Sequence, residues 1–209
     1  MAALGERIHT SGRELKQQLL LHRLFDFVKP PQNFNEEHYL TEICSTLKRY
    51  DTVLVIGRFQ PLHYGHILLM KVAARISDKV VIGIGSANAE PNDPDNPFSI
   101  EEREMWVNQQ VERDELLSSK VSKIVRINDI LDDYGHNDEE WGNQTLKITG
   151  HVDAVVGNND WVNGILVKQG VEPVTTPMFA RIFFEGKKCR HILREEKHLP
   201  QTTYGTFSL

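Results

Sequence analysis

Val53-Leu54-Val55-Ile56-Gly57, followed without a break by Arg58-Phe59-Gln60-Pro61-Leu62-His63-Tyr64-Gly65-His66, is the stretch whose reading decides the fold. Its first five residues form a continuous apolar run ending in glycine, the pattern of a strand buried on both faces. A helical segment is expected from about His66 to Ile76. Lys79-Val80-Val81-Ile82-Gly83-Ile84-Gly85 then repeats the buried-strand pattern. Strand, helix and strand joined this closely make a βαβ unit, which implies a parallel sheet with a right-handed crossover.

The alternation continues downstream. Ser99-Ile100-Glu101-Glu102 has the S-x-x-E form of a capping box and should open a helix through residues 105–111. Further strands are expected at Lys123-Ile124-Val125-Arg126-Ile127, at Asp153-Ala154-Val155-Val156-Gly157 and, in short form, at Glu172-Pro173-Val174-Thr175. Residues 87–97 and 132–143 are rich in Asp, Asn, Pro or Gly and read as irregular loops, the kind that often carry function. The predicted fold is α/β, a doubly wound parallel sheet running from Asp51 to about Leu193.

Working back toward the N-terminus, residues 1–50 differ in character from residues 51–209 and are expected to form a helical extension. Leu15, Leu19, Leu20, Leu24 and Phe27 recur at helical spacing until Pro30-Pro31 stops the segment. A second helix is expected with Asn35 as its N-cap, Glu36 and Glu37 in its first turn, and Leu40, Ile43 and Leu47 on its apolar side. These two helices carry no recognisable chemistry. They read as a packing or oligomer-forming extension, and a homo-oligomer is expected.

The bulk numbers set the class. The 209 residues are 40% hydrophobic and 25% charged, enough for a core without covalent staples. Cys44 and Cys189 stand far apart, outside any CxxC spacing, which points away from a zinc site or disulfide framework and toward a reducing, cytoplasmic setting. A net charge of -5 argues against a nucleic-acid partner, although a few cations focused in one cleft can still bind phosphates. No apolar run approaches the ~20 residues that span a bilayer, so no membrane partner is expected.

The chemistry concentrates where the first strand gives way to its helix, since ligands of open α/β sheets bind at the carboxyl ends of the strands. The segment is neither a Walker loop nor a Gly-x-Gly-x-x-Gly turn. It presents two histidines separated by two residues, with Gly65 between them, at a helix N-terminus. Such a terminus favours anions by ~0.3–1 kcal/mol, sometimes about 2. Gly65 lets a phosphate approach the backbone, His63 and His66 can donate imidazole N–H groups to phosphate oxygens, and Arg58 adds a planar cationic fork.

Gly57-Arg58-Phe59-Gln60-Pro61-x-His63-x-Gly65-His66 resembles the HxGH motif of the nucleotidyltransferase superfamily, and more closely the archaeal-type nicotinamide-nucleotide adenylyltransferases. The likeness extends through Ile82-Gly83-Ile84-Gly85-Ser86-Ala87, Asn96-Pro97-Phe98 with Glu102-Arg103, Gly157-Asn158 and Pro177-Met178-Phe179. It covers about residues 52–193 in a consistent order. The resemblance implies a Rossmann-like nucleotidyltransferase fold over residues 51–209. It also implies transfer of AMP from ATP to nicotinamide mononucleotide, giving NAD and pyrophosphate, with Mg²⁺ accompanying the triphosphate. By the same resemblance His63, His66 and Arg58 would hold the triphosphate, and Gly57 and Phe59 would supply backbone contacts. Ser86 would lie near the nucleotide, Arg103 and Asn158 would line the cleft, and Gly65, Gly157 and Arg190 would also contact the bound nucleotide. Trp141, placed in an irregular loop, would stack on the nicotinamide ring, with Asn137 near its amide.

Two departures from the family pattern stand out. The family's IS-x-T-x-x-R element corresponds here to Phe184-Glu185-Gly186-Lys187-Lys188-Cys189-Arg190. Arg190 fits the arginine of that element, whereas Glu185 and Lys187 replace Ser and Thr. Asp95 stands just before Asn96-Pro97-Phe98, where a basic residue is common. Two other readings therefore stay open: transfer to a different phosphate acceptor, such as FMN or a phosphopantetheine, from ATP or CTP, and a non-catalytic nucleotide sensor.

Overall fold

The computed structural model describes residues 12–90, 93–133, 135–177 and 185–196, with side chains from Leu19 onward. Met178, Phe179 and Phe184, read above from the sequence, lie outside the described residues, as does the side chain of Leu15.

Among the described residues, five strands form one parallel sheet: β1 (Tyr50–Gly57), β2 (Ser77–Ile84), β3 (Val121–Arg126), β6 (Ala154–Val156) and β7 (Glu172–Val174). Their order is β3-β2-β1-β6-β7. The direction in which successive strands are added reverses between β1 and β6, so the crevice between their carboxyl ends is the ligand-binding position of this topology. Pro173 cannot donate a ladder hydrogen bond and sits in the edge strand β7, where that loss is tolerated.

Continuous apolar runs make the sheet two-sided, because successive side chains point to opposite faces. Val53, Val55, Val80, Ile82, Ala154 and Val156 enter one core. Leu54, Val81 and Val155 enter the other. The first core is covered by α3 (Tyr64–Ile76), α5 (Glu115–Lys120) and the apolar side of α4 (Ile100–Arg113). The second is covered by α6 (Asp138–Thr149) and α7 (Asp160–Lys168). The doubly wound arrangement follows directly. Both halves of the Ser99/Glu102 capping box are present: Ser99 Oγ accepts the Glu102 amide, and Glu102 accepts the Ser99 amide.

The loop expected over residues 132–143 needs correction. A two-residue hairpin, β4 (Leu131–Asp132) with β5 (Gly135–His136), is followed at once by α6. Asn137 caps that helix by accepting the Glu140 amide, and Asp138, Glu139 and Glu140 occupy its first turn, where negative charge stabilises a helix.

α1 (Gly12–Phe27) and α2 (Glu36–Cys44) form the N-terminal helical segment. Asn35 caps α2 as expected, and Leu40 is 1% exposed inside the main core. Leu24 and Phe27 pack against Phe98, Cys189 and Leu193, the last two from α8 (Gly186–Glu195). Leu19, by contrast, is half exposed and lies off the buried stripe.

Glu36 ties α2 to the sheet's first helix. It accepts hydrogen bonds from Tyr64 Oη and from Lys71 Nζ at 2.5 Å, and Lys71 also reaches Asp114 at 2.7 Å. All these side chains are less than one-third exposed or half-buried, so solvent screens them less than an ordinary surface pair. Removing one partner leaves a charge poorly compensated. Glu36→Ala is therefore expected to lower unfolding stability by about 2 kcal/mol in urea denaturation. A loss below about 0.5 kcal/mol would reduce the cluster to the status of a surface ion pair.

Candidate active site

The site begins with local backbone shape. β1 ends at Gly57, where a Cβ would stand 2.8 Å from the Phe59 ring, so only glycine lets the chain fold back over that ring. Phe59 has φ 51° and Ser86, just past β2, has φ 48°. Two non-glycine residues in the left-handed region at adjacent strand ends are the kind of strain that concentrates at functional sites.

α3 then starts with His63 as N-cap and His66 in its first turn. Spacing of i, i+3 puts them on one face. The rings stack with centroids 3.7 Å apart, and Phe59 packs edge-on to His66 at 4.9 Å. The His63 amide points at Nδ1 of His66 over 3.4 Å, which leaves Nε2 as that ring's donor. Nδ1 of His63 is buried without a hydrogen-bond partner among the described residues. That is an invitation to a ligand.

Burial, helped by the Arg190 charge, pushes the His63 imidazole down to about 4. Burial, then the neighbouring His63, holds His66 well below the usual histidine range. Both rings are neutral donors at physiological pH. A histidine whose folded-state value is depressed binds its proton more readily in the unfolded chain. Stability should therefore be full above about pH 6.5 and fall as pH drops toward 4. Urea midpoints measured from pH 6.5 to 4.5 are expected to decline, with a shallower decline in His63→Asn. An equal slope in that variant would show that the ring is not the source.

Two hollows meet at these rings, and a third shares Arg58 with one of them. The most cationic, about 450 Å³, is walled by Arg58, His63, His66, Lys187 and Arg190, with Asp95 and Glu185 on its rim. Arg190 is 5% exposed and donates to Gln60 O at 2.7 Å and Asp95 at 3.0 Å, while its Nε has no partner among the described residues. Gly186 admits this close approach of α8, since a Cβ there would lie 3.2 Å from Gln60 O. A second hollow, about 370 Å³, shares His63, His66, Glu185 and Gly186 and adds Gly65, Asn158 and Thr176. Asn158 Oδ1 accepts the Thr176 amide at 3.1 Å, which joins the ends of β6 and β7 across that hollow. The third, about 320 Å³, opens beyond Arg58 between Gly57, Ser86, Asn96, Trp141 and Trp161.

Three expected roles change. Arg103 does not line the cleft: it is 0% exposed, and its guanidinium donates to Arg58 O, Gly85 O and Ser86 O at 2.8–2.9 Å. It braces the ends of β1 and β2 from behind. Gly157 lines none of these hollows and hydrogen-bonds Val174 O, so it serves the β6–β7 connection. Trp141 belongs to α6, not to a loop, and is 3% exposed because it packs into the second core. Its ring lies 4.9 Å from Trp161, which is 37% exposed, and Trp161 in turn lies 5.3 Å from His136. Trp161 and His136 were not singled out from the sequence. The signal for Trp161 was its place in the Gly157-Asn158-Asn159-Asp160-Trp161 run after a buried strand.

Similarity to known proteins agrees with this geometry. Residues 54–190 match the family described as Cytidylyltransferase-like. The nicotinamide-nucleotide adenylyltransferase of Methanolobus tindarius is 34% identical over 142 residues, covering 68% of this chain and 76% of that protein. The enzyme of the same description from Halorubrum lacusprofundi is 33% identical, covering 65% of this chain and 71% of its own length. Among solved structures, a bifunctional NMN adenylyltransferase/ADP ribose pyrophosphatase from Francisella tularensis, complexed with AMP and Mn ion, superposes with a TM-score of 0.55 at 25% identity. That match covers 70% of this chain and 42% of the bifunctional one.

Proposed function

The chain belongs to the cytidylyltransferase-like family and, within it, to the archaeal-type nicotinamide-nucleotide adenylyltransferases; on that premise we propose that it transfers AMP from ATP to nicotinamide mononucleotide, forming NAD and pyrophosphate. One observation carries the reading: two stacked, neutral imidazoles at a helix N-terminus face a cationic hollow at the reversal point of the sheet.

Polarity sorts the substrate among the hollows. The triphosphate takes the hollow of Arg58, Lys187 and Arg190. The adenosine takes the adjoining one, whose lining contains no Arg or Lys. The acceptor nucleotide takes the third, where Trp161, backed by the buried Trp141, offers aromatic surface to a cationic ring, a contact of ~0.5–2 kcal/mol. Arg58, which lines both the triphosphate and acceptor hollows, stands where the two phosphate groups must meet.

The acceptor's 5′-phosphate oxygen forms a bond to the α-phosphorus of ATP as the bond from that phosphorus to pyrophosphate breaks. The nucleophile is already ionised, so no side chain need act as base or covalent nucleophile. The protein aligns the two phosphates and stabilises the charge that shifts onto the leaving group. His66 Nε2–H, His63 and the Arg190 fork are the donors placed to do so.

Among the described residues no group of three or more His, Cys, Asp or Glu could hold a metal ion. Asp95 and Glu185 on the hollow's rim nevertheless fit a magnesium ion brought in on the triphosphate, since such ions use one or two carboxylates plus phosphates. When bound, it neutralises the phosphate charge. Both cysteines are free and no described helix is long and apolar enough to cross a membrane. We place the reaction in the cytoplasm.

The Asp95–Arg190 ion pair favours one competing reading, a nucleotide sensor whose phosphate donor is already occupied. Incubation with Mg²⁺ and ATP, against nicotinamide mononucleotide, FMN and 4′-phosphopantetheine as acceptors, separates the cases. NAD and pyrophosphate in equal amounts are expected. Faster turnover of another acceptor, or nucleotide binding without pyrophosphate release, would overturn the reading.

A further inference from the structure

The hollow assigned above to adenosine has a wall that the family segment does not supply. Residues 54–190 provide His63, Gly65, His66, Leu69, Val72 and Pro177, whereas Tyr39 comes from α2, outside that segment. Tyr39 is held there from several sides. Its neighbour Leu40 is sunk in the main core, and Tyr39 itself packs half-buried against the edge of that core. Phe34 packs against it at 5.6 Å and against Tyr64 at 5.9 Å. Its hydroxyl donates to Pro177 O over 3.4 Å, linking α2 to the segment after β7, and both residues line the hollow. The Glu36 and Glu37 contacts to Tyr64, Lys71 and Arg75 fix α2 on α3.

From this arrangement we infer that Tyr39 forms the outer wall of the nucleotide-base pocket, so that the N-terminal helices complete the ATP site. The inference rests on the assignment of adenosine to this hollow. Tyr39 shares the lining of the hollow with Leu69 and Val72, so an aromatic ring and two aliphatic side chains are available to a flat, apolar-faced base. The polar side of the hollow, Asn158 and Thr176, is left for the ribose hydroxyls. Stacking of this kind tolerates any base, so Tyr39 supplies affinity rather than selectivity among bases.

Calorimetric binding of ATP and of inorganic tripolyphosphate, both without acceptor, tests the inference in wild type, Tyr39→Ala and Tyr39→Phe. Tyr39→Ala is expected to weaken ATP about 10-fold and to leave tripolyphosphate, which has no base, within about 2-fold. Tyr39→Phe should bind ATP nearly as wild type does. Equal weakening of ATP and tripolyphosphate would mean that Tyr39 only steadies α3 and its histidines, and would overturn the inference. So would unchanged ATP binding in Tyr39→Ala, or a phenylalanine variant as weak as the alanine one. None of these readouts requires turnover. A protein that binds ATP with the expected Tyr39 dependence but makes no NAD would refute the proposed reaction and leave the wall intact. Absence of ATP binding in the wild type would refute both.

Discussion

His66→Ala is expected to lower turnover by roughly 10²–10³-fold with the fold retained, the scale of losing one preorganised donor in an active site. The reason lies in what fixes the ring. His66 is confined between the stacked His63 ring and the edge of Phe59, and the His63 amide engages its Nδ1. Its remaining donor is therefore oriented before substrate arrives, and nothing need reorganise as charge moves onto the leaving pyrophosphate. Because the donor acts most strongly on that developing charge, the loss should appear in kcat more than in the KM for ATP. Helix α3 is held by eight buried residues other than His66, so the thermal midpoint should move little. Steady-state kinetics with a parallel melting curve decide the matter. Turnover near wild type in a folded variant would remove His66 from the mechanism.

Arg103→Met is expected to cost about 3–5 kcal/mol of unfolding stability, one of the largest single-residue losses in this chain. The guanidinium is fully buried and meets the Arg58, Gly85 and Ser86 carbonyls, all just past the carboxyl ends of β1 and β2. Methionine fills similar space but leaves Arg58 O and Gly85 O without their donor, and Ser86 O with only the Ala89 amide, in a dry setting where each loss is expensive. Lysine should rescue little, because a single ammonium cannot reproduce the planar fork. Ser86 and Arg58 both face the acceptor hollow, so activity should fall alongside stability. Chemical denaturation and activity measured together discriminate. Unchanged stability with lost activity would return Arg103 to the cleft and make it a ligand-binding residue.

The difference between these two side chains shows what was legible in the sequence. The βαβ unit, the order of strands along the chain and both helix caps at Asn35 and Ser99 are local. Apolar runs of period-free residues announce buried strands, and Asx or Ser before acidic residues announces a helix start. His63 and His66 were legible for the same reason, since motif and helix N-terminus coincide in sequence. Helix α6 is a harder case: Asn137 and the three acids after it carry a helix-start signal inside a segment otherwise composed like a loop. The Asp, Gly and Asn content of residues 132–143 drew the reading toward a loop. Arg103 was recognised as belonging near the site, but which way its guanidinium points depends on carbonyls 17 to 45 residues away. Trp161 against Trp141, Asp95 against Arg190, and Tyr39 over the base hollow are likewise contacts between distant segments. No local pattern encodes them.

Asp95 shows how one departure from the family pattern is accommodated. Asp95 does not stand alone against phosphate: it pairs with Arg190, whose second nitrogen is anchored on Gln60 O. Arg190 thus keeps its place with no substrate present. An incoming triphosphate exchanges one anionic partner for another rather than meeting a bare carboxylate.

The most direct test is a crystal structure of the protein with Mg²⁺ and a non-hydrolysable ATP analogue. Phosphate oxygens should lie within hydrogen-bonding distance, about 3 Å, of the His63 and His66 rings and the Arg190 guanidinium, with the base in the adjoining hollow. Phosphates held elsewhere, with both imidazoles left facing empty solvent, would contradict the account.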